Sequence, residues 1–217
     1  MNFILAVIIS FSIFIAGVVA IVRYKQIHKS YYPFIYFIWI GCFNEMVSFY
    51  LATNGYYTYI NSNIYVLAES ILIIYYFRGS NVFKKKSAFF LLIISVLVTM
   101  WIYENLIGLN ITTLRGYFRI SYSAIIVLLS ITHINSIIAS IRQNIFKNAD
   151  FLICASFIIY FTYKILVEAF WLYGLNSSKT FQLGIYDIMA YINLFINLTY
   201  ALAILWMPRK QLFTMPS

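Results

Sequence analysis

Seven long apolar runs, separated by short polar loops, constrain the fold of this chain more than any other feature of its sequence. A helix that crosses a membrane needs about 20 predominantly apolar residues, and the runs approach or reach that length. Only 10% of the 217 residues are charged and 63% are hydrophobic, which excludes an ordinary soluble domain. The runs are Phe3 to Val22, Phe34 to Ala52, Ser62 to Phe77, Ala88 to Ile107, Ile120 to Ile141, Phe151 to Tyr173 and Ile185 to Met207. The sequence therefore predicts an all-α fold, a polytopic bundle of seven transmembrane helices.

The seven runs are predicted to form one domain. No linker, low-complexity segment or soluble domain interrupts them, so residues 1–217 are expected to be a single heptahelical membrane domain. The first run has the length of a signal peptide, but its basic residues follow the apolar stretch and no cleavage site of small residues is evident. We therefore expect this run to be retained as the first transmembrane helix.

Basic residues are concentrated in the loops after the first, third and fifth runs and in the C-terminal tail. These segments contain Arg23, Lys25, Lys29, Arg78, Lys84, Lys85, Lys86, Arg142, Lys147, Arg209 and Lys210. The opposite loops contain Arg115, Arg119 and Lys179, so the positive-inside rule predicts an external N-terminus and a cytoplasmic C-terminus. The basic loops are candidate sites for a protein partner or for anionic lipid headgroups. Their position explains the formal net charge of +9 without nucleic-acid binding.

Acidic residues are predicted to lie mainly in the outer half of the bundle. In the predicted orientation Glu45, Glu69 and Glu168 fall in the outer halves of the second, third and sixth runs, and Asp187 begins the seventh. Asp150 lies at the cytoplasmic end of the sixth run. A charge at the centre of a bilayer costs roughly 2.5 to 3.5 kcal/mol, so the intramembrane acids are expected to face the bundle interior or water.

Lys164 is the only basic residue predicted within a membrane helix, and Glu168 follows it by one helical turn. The lysine could neutralise Glu168, or Glu69 on a neighbouring helix, and thereby serve helix packing alone. However, one lysine cannot neutralise Glu45, Glu69 and Glu168 together. Some of these carboxylates are therefore expected to be protonated, hydrated or paired with a ligand.

These acids, with polar residues of the seventh run, define a candidate ligand site. The predicted ligand-binding residues are Glu45, Glu69, Lys164, Glu168, Asn193, Asn197 and Asp187. His133, within the fifth run, is either a hydrogen-bonded packing residue or a candidate proton relay. Catalytic motifs, phosphate-binding glycine loops and zinc patterns are absent from the sequence, so no metal or cofactor is predicted. Enzymatic activity is left open but is not favoured, because an intramembrane enzyme would need a catalytic constellation that the sequence does not show.

Two functional hypotheses follow from this site. In the first, the protein is a sensor or a transporter that binds a small polar or cationic ligand, or protons, in an outward-facing pocket within the membrane. In the second, it is a membrane scaffold or a subunit of a larger complex, and the buried charges serve helix packing.

Two resemblances extend these hypotheses. "VRYKQ" and "IRQN" follow the first and fifth runs, and "EMVSFY" and "EAFWLY" align Glu45 with Glu168. This arrangement resembles the parallel three-plus-one-plus-three repeat of the sugar-exporting SWEET proteins and implies a related internal repeat. "NIYVLAESILIIYYF" and "FLICASFIIYF" resemble segments of small seven-helix inner-membrane proteins of Bacteroidota. That resemblance implies a location in the bacterial inner membrane and implies no activity.

Overall fold

The computed structural model describes residues 3–80, 82–83, 87–107, 111, 116–140, 145–173 and 179–209. Throughout these residues the regular elements are helices, and Ile27 and Arg209 form one isolated bridge. The α-helices are α1 (Phe3–Ser10), α2 (Ile13–Arg23), α3 (Tyr32–Thr53), α4 (Tyr59–Gly79), α5 (Ser87–Ile102), α6 (Tyr117–Ser140), α7 (Ala149–Leu172) and α8 (Lys179–Trp206). Short 3₁₀ turns, Lys29–Tyr31 and Ile145–Lys147, precede α3 and α7, and a π-helical turn, Tyr103–Ile107, ends α5. The all-α fold class predicted from the sequence is confirmed.

Six helical segments of the described chain are long and apolar enough to cross a membrane. They are Lys29–Thr53, Tyr59–Gly79, Ser87–Ile107, Tyr117–Ala139, Ala149–Leu172 and Gly184–Trp206. These segments correspond to the second through seventh predicted runs. The helix of the third run, α4, is longer than the predicted run because it begins with polar residues that precede the apolar core. The chain is an integral membrane protein whose helices contact lipid.

The first run is helical, as predicted, but it is interrupted between α1 and α2, and its apolar helical segment Val7–Arg23 is shorter than the six segments above. The chain turns at Phe11 and Ser12, where the Ser12 and Ile15 amides donate to carbonyls three residues earlier. The Ser12 hydroxyl accepts a hydrogen bond of 2.8 Å from the Asn197 amide of α8. An interhelical hydrogen bond of this kind is favourable in lipid, and it fixes the turn against the bundle.

Long-range contacts define two ends of the bundle. At one end, here named the cavity end, the C-terminus of α7 lies beside the N-termini of α4 and α6, because Arg119 reaches both Ser62 and Glu168. At the other, the Asp150 end, Asp150 at the start of α7 contacts Tyr31 and the C-terminal part of α4 through Tyr76. Successive helices from α3 to α8 therefore run in alternating directions. The predicted topology places the cavity end outside, and it stays a prediction, as does the internal repeat.

A layer of aromatic rings fills the bundle between the two ends. This aromatic layer consists of Phe34 and Phe37 from α3, Tyr76 from α4, Phe157 from α7 and Tyr200 from α8. Phe34 and Tyr200 meet edge to face at 5.3 Å, and Phe157 lies about equally far from Tyr76 and Tyr200, at 6.1 and 6.0 Å. Such pairs contribute roughly 0.5 to 1.5 kcal/mol each beyond their burial. The layer separates the polar groups of the two ends.

Glycines allow α2 and α3 to approach closely. A Cβ atom on Gly41 of α3 would lie 2.6 Å from Ile13 Cδ1, and one on Gly17 of α2 would lie 2.8 Å from Cys42 Sγ. Membrane helices associate by such close packing because lipid removes the hydrophobic driving force between them. Gly17 of α2 and Gly41 of α3 thus serve the packing of these two helices.

Candidate functional site

A cavity of about 810 Å³ occupies the cavity end of the bundle. Its lining residues come from α3 (Asn44, Glu45), α4 (Tyr59, Ser62, Tyr65, Val66), the start of α6 (Gly116, Arg119), α7 (Tyr160, Lys164, Val167, Glu168, Trp171, Leu172) and α8 (Tyr186, Met189). Several of these lie at helix termini, so the cavity extends from the bundle interior to the ends of the helices. Its volume is within the range of about 300 to 1,000 Å³ that is typical of small-molecule sites.

Lys164 forms the floor of this cavity with two residues from other helices. Its Nζ donates a hydrogen bond of 3.0 Å to Glu69 Oε2 on α4 and another to the Tyr122 hydroxyl on α6. The Tyr122 hydroxyl donates to the same Glu69 oxygen at 2.5 Å, and Tyr65 donates to Oε1 at 3.3 Å. The Glu69 residue is 1% exposed, so its carboxylate is enclosed, and the ion pair joins α4, α6 and α7.

Aromatic rings surround the Lys164 ammonium group. Its Nζ lies 5.1 Å from the centre of the Tyr122 ring, 5.4 Å from that of Tyr160 and 5.5 Å from that of Phe161. An ammonium within about 6 Å of an aromatic face is attracted to the ring quadrupole. The rings and the Glu69 carboxylate together explain how an apolar segment of α7 holds a lysine.

Arg119 is the second cation of the site. Its Nη2 donates to Ser62 Oγ at 2.8 Å and to Asn63 Oδ1 at 3.1 Å, while Nη1 lies 3.6 Å from Glu168 Oε1. The last distance is an ion pair without a direct hydrogen bond. Gly116, just before α6, permits this approach, because a Cβ atom there would lie 3.1 Å from Glu168 Oε2.

The start of α6 is itself fixed by an acidic residue from the π-helical turn that ends α5. Glu104 Oε2 accepts a hydrogen bond of 2.6 Å from the backbone amide of Phe118. A carboxylate at a helix N-terminus satisfies free amides and interacts favourably with the helix dipole. Glu104 thereby positions the first turn of α6, which carries Arg119.

Glu45 differs from the other acids of the cavity end. It is half-buried and lines the cavity, yet no lysine or arginine of the described chain lies within 4.0 Å of its carboxylate. The carboxylate interacts with the hydroxyl of Ser10 on α1. Its neighbour Asn44 is occupied elsewhere, because Asn44 Oδ1 accepts a hydrogen bond of 2.9 Å from Asn61.

The structure brings four of the predicted ligand residues together at the cavity end. Glu45, Lys164 and Glu168 line the cavity, and Glu69 binds Lys164 at its floor. The open question of the partner of Lys164 is resolved geometrically: Lys164 contacts Glu69, and Glu168 faces Arg119 instead of the lysine one turn before it.

The remaining predicted residues lie elsewhere. Asn197 binds Ser12 between α8 and the turn that follows α1. Asn193 and Asp187 of α8 are half-buried and are not among the residues that line the cavity. His133 lies at the Asp150 end, where its Nε2 is 4.0 Å from Asp150 Oδ1.

Sequence reasoning missed two residues that contact the predicted acids, namely Arg119 and Tyr122. The sequence predicts Arg119 in an outer loop, because the unbroken apolar residues of the fifth run begin at Ile120. In the structure α6 begins at Tyr117, and Arg119 is 8% exposed. Its spacing of three residues from Tyr122 places both on one helical face, which was the available signal.

The basic loops can be described only in part. Lys84, Lys85, Lys86, Arg115, Arg142 and Lys210 lie outside the described residues. Arg23 is described, and its guanidinium donates to the carbonyls of Ile204, Leu205 and Met207, which caps the end of α8. A basic residue at a helix C-terminus is favourable for the dipole.

Within the described residues, no group of three or more His, Cys, Asp or Glu side chains could hold a metal ion. Comparisons of the chain with models of known protein families, with curated proteins and with solved structures found no match. The functional interpretation therefore depends on the geometry of the cavity and its charges.

Proposed function

We propose that the protein binds a small cationic ligand, an organic ammonium ion, in the cavity, and acts as a receptor or a carrier for it. The observation that supports this most is the Glu45 carboxylate, which lines the cavity without a cationic partner among the described residues. The sequence predicts a small polar or cationic ligand, or protons, and the organic ammonium ion is one member of that class.

Among the described residues, each of the other acids of the cavity end has a cation or a backbone amide as its partner, and Glu45 has neither. Glu69 is paired with Lys164, Glu168 is paired with Arg119, and Glu104 accepts a backbone hydrogen bond. An uncompensated carboxylate within a membrane is unfavourable by roughly 2.5 to 3.5 kcal/mol. A bound cation at Glu45 would remove this penalty and gain a charge-assisted contact.

The cavity walls suit an organic cation better than a bare metal ion. Tyr59, Tyr65, Tyr160, Trp171 and Tyr186 contribute aromatic rings to the lining. Cation–π attraction is worth about 0.5 to 2 kcal/mol per favourable ring, and aromatic cages recognise quaternary ammonium groups in this way. A hydrated metal ion would instead require several oxygen ligands held close together.

The experiment compares choline with 3,3-dimethyl-1-butanol, its neutral isostere, by calorimetry on the full chain in lipid nanodiscs. Choline is expected to bind, and the neutral compound is expected to bind at least tenfold more weakly, a difference of about 1.4 kcal/mol. Glu45→Gln should remove this preference. Asp187→Asn is the matched control, because it neutralises an acid of α8 that does not line the cavity.

Three results would contradict the proposal: equal binding of the two compounds, a preference that survives Glu45→Gln, or an equal loss in Asp187→Asn. The last would indicate general attraction by negative charge. If Glu45→Gln unfolded the protein, the alternative function, a scaffold whose charges serve packing, would be favoured.

A further inference from the structure

We propose that His133 and Asp150 form a proton-binding site at the Asp150 end of the bundle, separate from the cavity and independent of the ligand proposed for it. In this site the imidazole of His133 takes up a proton and the resulting cation pairs with the Asp150 carboxylate.

The carboxylate is held in place by residues of two other helical segments. The Tyr31 hydroxyl donates to Asp150 Oδ2 at 2.9 Å, and the Tyr76 hydroxyl of α4 donates to Oδ1 at 2.7 Å. Asp150 also lies in the first turn of α7, which Asn148 caps by accepting the Phe151 amide at 2.9 Å. Two hydroxyl donors and a helix N-terminus all favour the ionised carboxylate.

His133 faces this carboxylate with an unused nitrogen. The residue is 7% exposed, its Nε2 has no hydrogen-bond partner among the described residues, and that atom lies 4.0 Å from Asp150 Oδ1. The Phe77 ring lies perpendicular to the imidazole at 6.3 Å. A buried nitrogen without a partner is unfavourable, whereas a protonated imidazole would form a charge-assisted bond after an approach of about 1 Å.

The groups around the pair leave His133 as the cation suited to Asp150. From α7, the Cys154 thiol lies near the carboxylate; from α4 come Tyr76 and the apolar ring of Phe77; from the turn before α3 comes Tyr31. Among the described residues, no lysine or arginine lies within 4.0 Å of Asp150. Imidazole is also the side chain whose charge ordinarily changes between about pH 5 and 8.

The site is separated from the cavity by the aromatic layer. Lys164 and Asp150 are fourteen positions apart on α7, which corresponds to about 21 Å at 1.5 Å per residue. The same two helices nevertheless carry both loosely spaced pairs, Arg119–Glu168 at 3.6 Å and His133–Asp150 at 4.0 Å. Uptake of a proton by His133 would draw α6 towards α7 at the Asp150 end.

The sequence offers a direct test, because the chain has only 2 histidines. His28→Asn leaves His133 as the single histidine, and asparagine suits position 28, where the imidazole accepts the Ser30 amide as a helix cap. With isotope-labelled histidine, NMR of the full chain in nanodiscs reports the fraction of His133 that is imidazolium. That fraction is expected to rise as the pH falls from 8 to 5.

The partner is identified by adding Asp150→Asn to the single-histidine protein. At the pH where half of His133 is protonated with Asp150 present, we expect the imidazolium fraction to fall at least threefold with asparagine and to recover with Asp150→Glu. Asp187→Asn is the matched control and should change nothing.

A His133 that stays neutral down to pH 5 would overturn the proposal without any change at Asp150. So would an imidazolium fraction that is the same with Asp150 and with asparagine. If Asp150→Asn fails to fold, Asp150→Glu decides the matter: an imidazolium fraction equal to that of the single-histidine protein supports the pairing, and a neutral imidazole contradicts it.

Discussion

The two ends of the bundle hold polar clusters of opposite design, although α4, α6 and α7 contribute to both. At the cavity end three acids and two cations surround a space of about 810 Å³, and one carboxylate lacks a cationic partner among the described residues. At the Asp150 end one carboxylate accepts two tyrosine hydroxyls beneath a packed aromatic layer. A polar group in a membrane is unfavourable unless it has a partner. Carboxylates that already have partners therefore hold helices together, whereas the carboxylate without a cationic partner is available for a ligand.

The largest loss of stability is expected when one partner is removed from the ion pair at the floor of the cavity. Lys164→Met leaves Glu69 buried and unpaired, so we expect the free energy of unfolding in detergent to fall by about 3 to 5 kcal/mol. Adding Glu69→Gln should recover most of that loss. Combining Lys164→Met with Glu168→Gln should instead give additive losses, because Glu168 faces Arg119. Recovery by Glu168→Gln would contradict the pairing.

The partner of Lys164 illustrates what the sequence could and could not predict. Six spans follow from apolar runs, because 20 or so apolar residues in succession have few alternatives to a membrane helix. That Glu45, Glu69, Lys164 and Glu168 meet at one end of the bundle also follows from helical rise and alternating helix direction, whereas their depth in a membrane stays a prediction. Their pairing did not, since i, i+4 spacing permits a contact but a neighbouring helix can offer a better one, as α4 offers Glu69.

Other features depended on tertiary context. The turn at Ser12 could not be predicted from the apolar run, because no glycine or proline lies at this position. The Ser12 hydroxyl is bonded by Asn197, which is far away in the sequence. Arg119 was excluded from the bundle by its charge, yet Ser62, Asn63 and Glu168 accept it inside the first turn of α6. Likewise, His133 and Asp150 meet only because α6 and α7 are antiparallel neighbours.

A smaller effect is expected at the Asp150 end. Asp150→Ala removes the acceptor of the Tyr31 and Tyr76 hydroxyls, and leaving such groups unsatisfied typically lowers the free energy of unfolding by about 1 to 3 kcal/mol. Adding Tyr31→Phe and Tyr76→Phe should reduce the loss, because the stranded hydroxyls are then absent. Denaturant titration in detergent measures both. A larger loss than that of Lys164→Met would reverse the distinction between the two ends.

A still smaller loss of stability is expected when the hydrogen bond that fixes the turn between α1 and α2 is removed. Asn197→Ala removes the donor to Ser12, and interhelical hydrogen bonds in membranes average about 0.6 kcal/mol. We expect a loss of that size, measured as above. Thr199→Ala is the matched control on the same helix, because its hydroxyl donates to the Phe195 carbonyl one turn earlier and not to another helix in the part of the chain that the structure describes. A loss above about 1.7 kcal/mol would give Asn197 a larger role than this contact explains.

The smallest effect on stability is expected from the residue with the largest expected effect on binding. Glu45→Gln breaks no ion pair among the described residues, and the amide oxygen can still interact with Ser10. The substitution also removes a charge from the membrane interior, which is favourable. We therefore expect the free energy of unfolding to change by less than about 0.5 kcal/mol, as for substitutions away from packed or paired groups.

The measurement is the unfolding of the ligand-free Glu45→Gln protein, compared with that of the parent and of Lys164→Met. A loss comparable to that of Lys164→Met would mean that Glu45 holds the bundle together, and it would contradict the assignment of Glu45 to a ligand. A near-zero change together with lost choline binding would instead assign Glu45 to the ligand, because the carboxylate would then contribute to binding and not to folding.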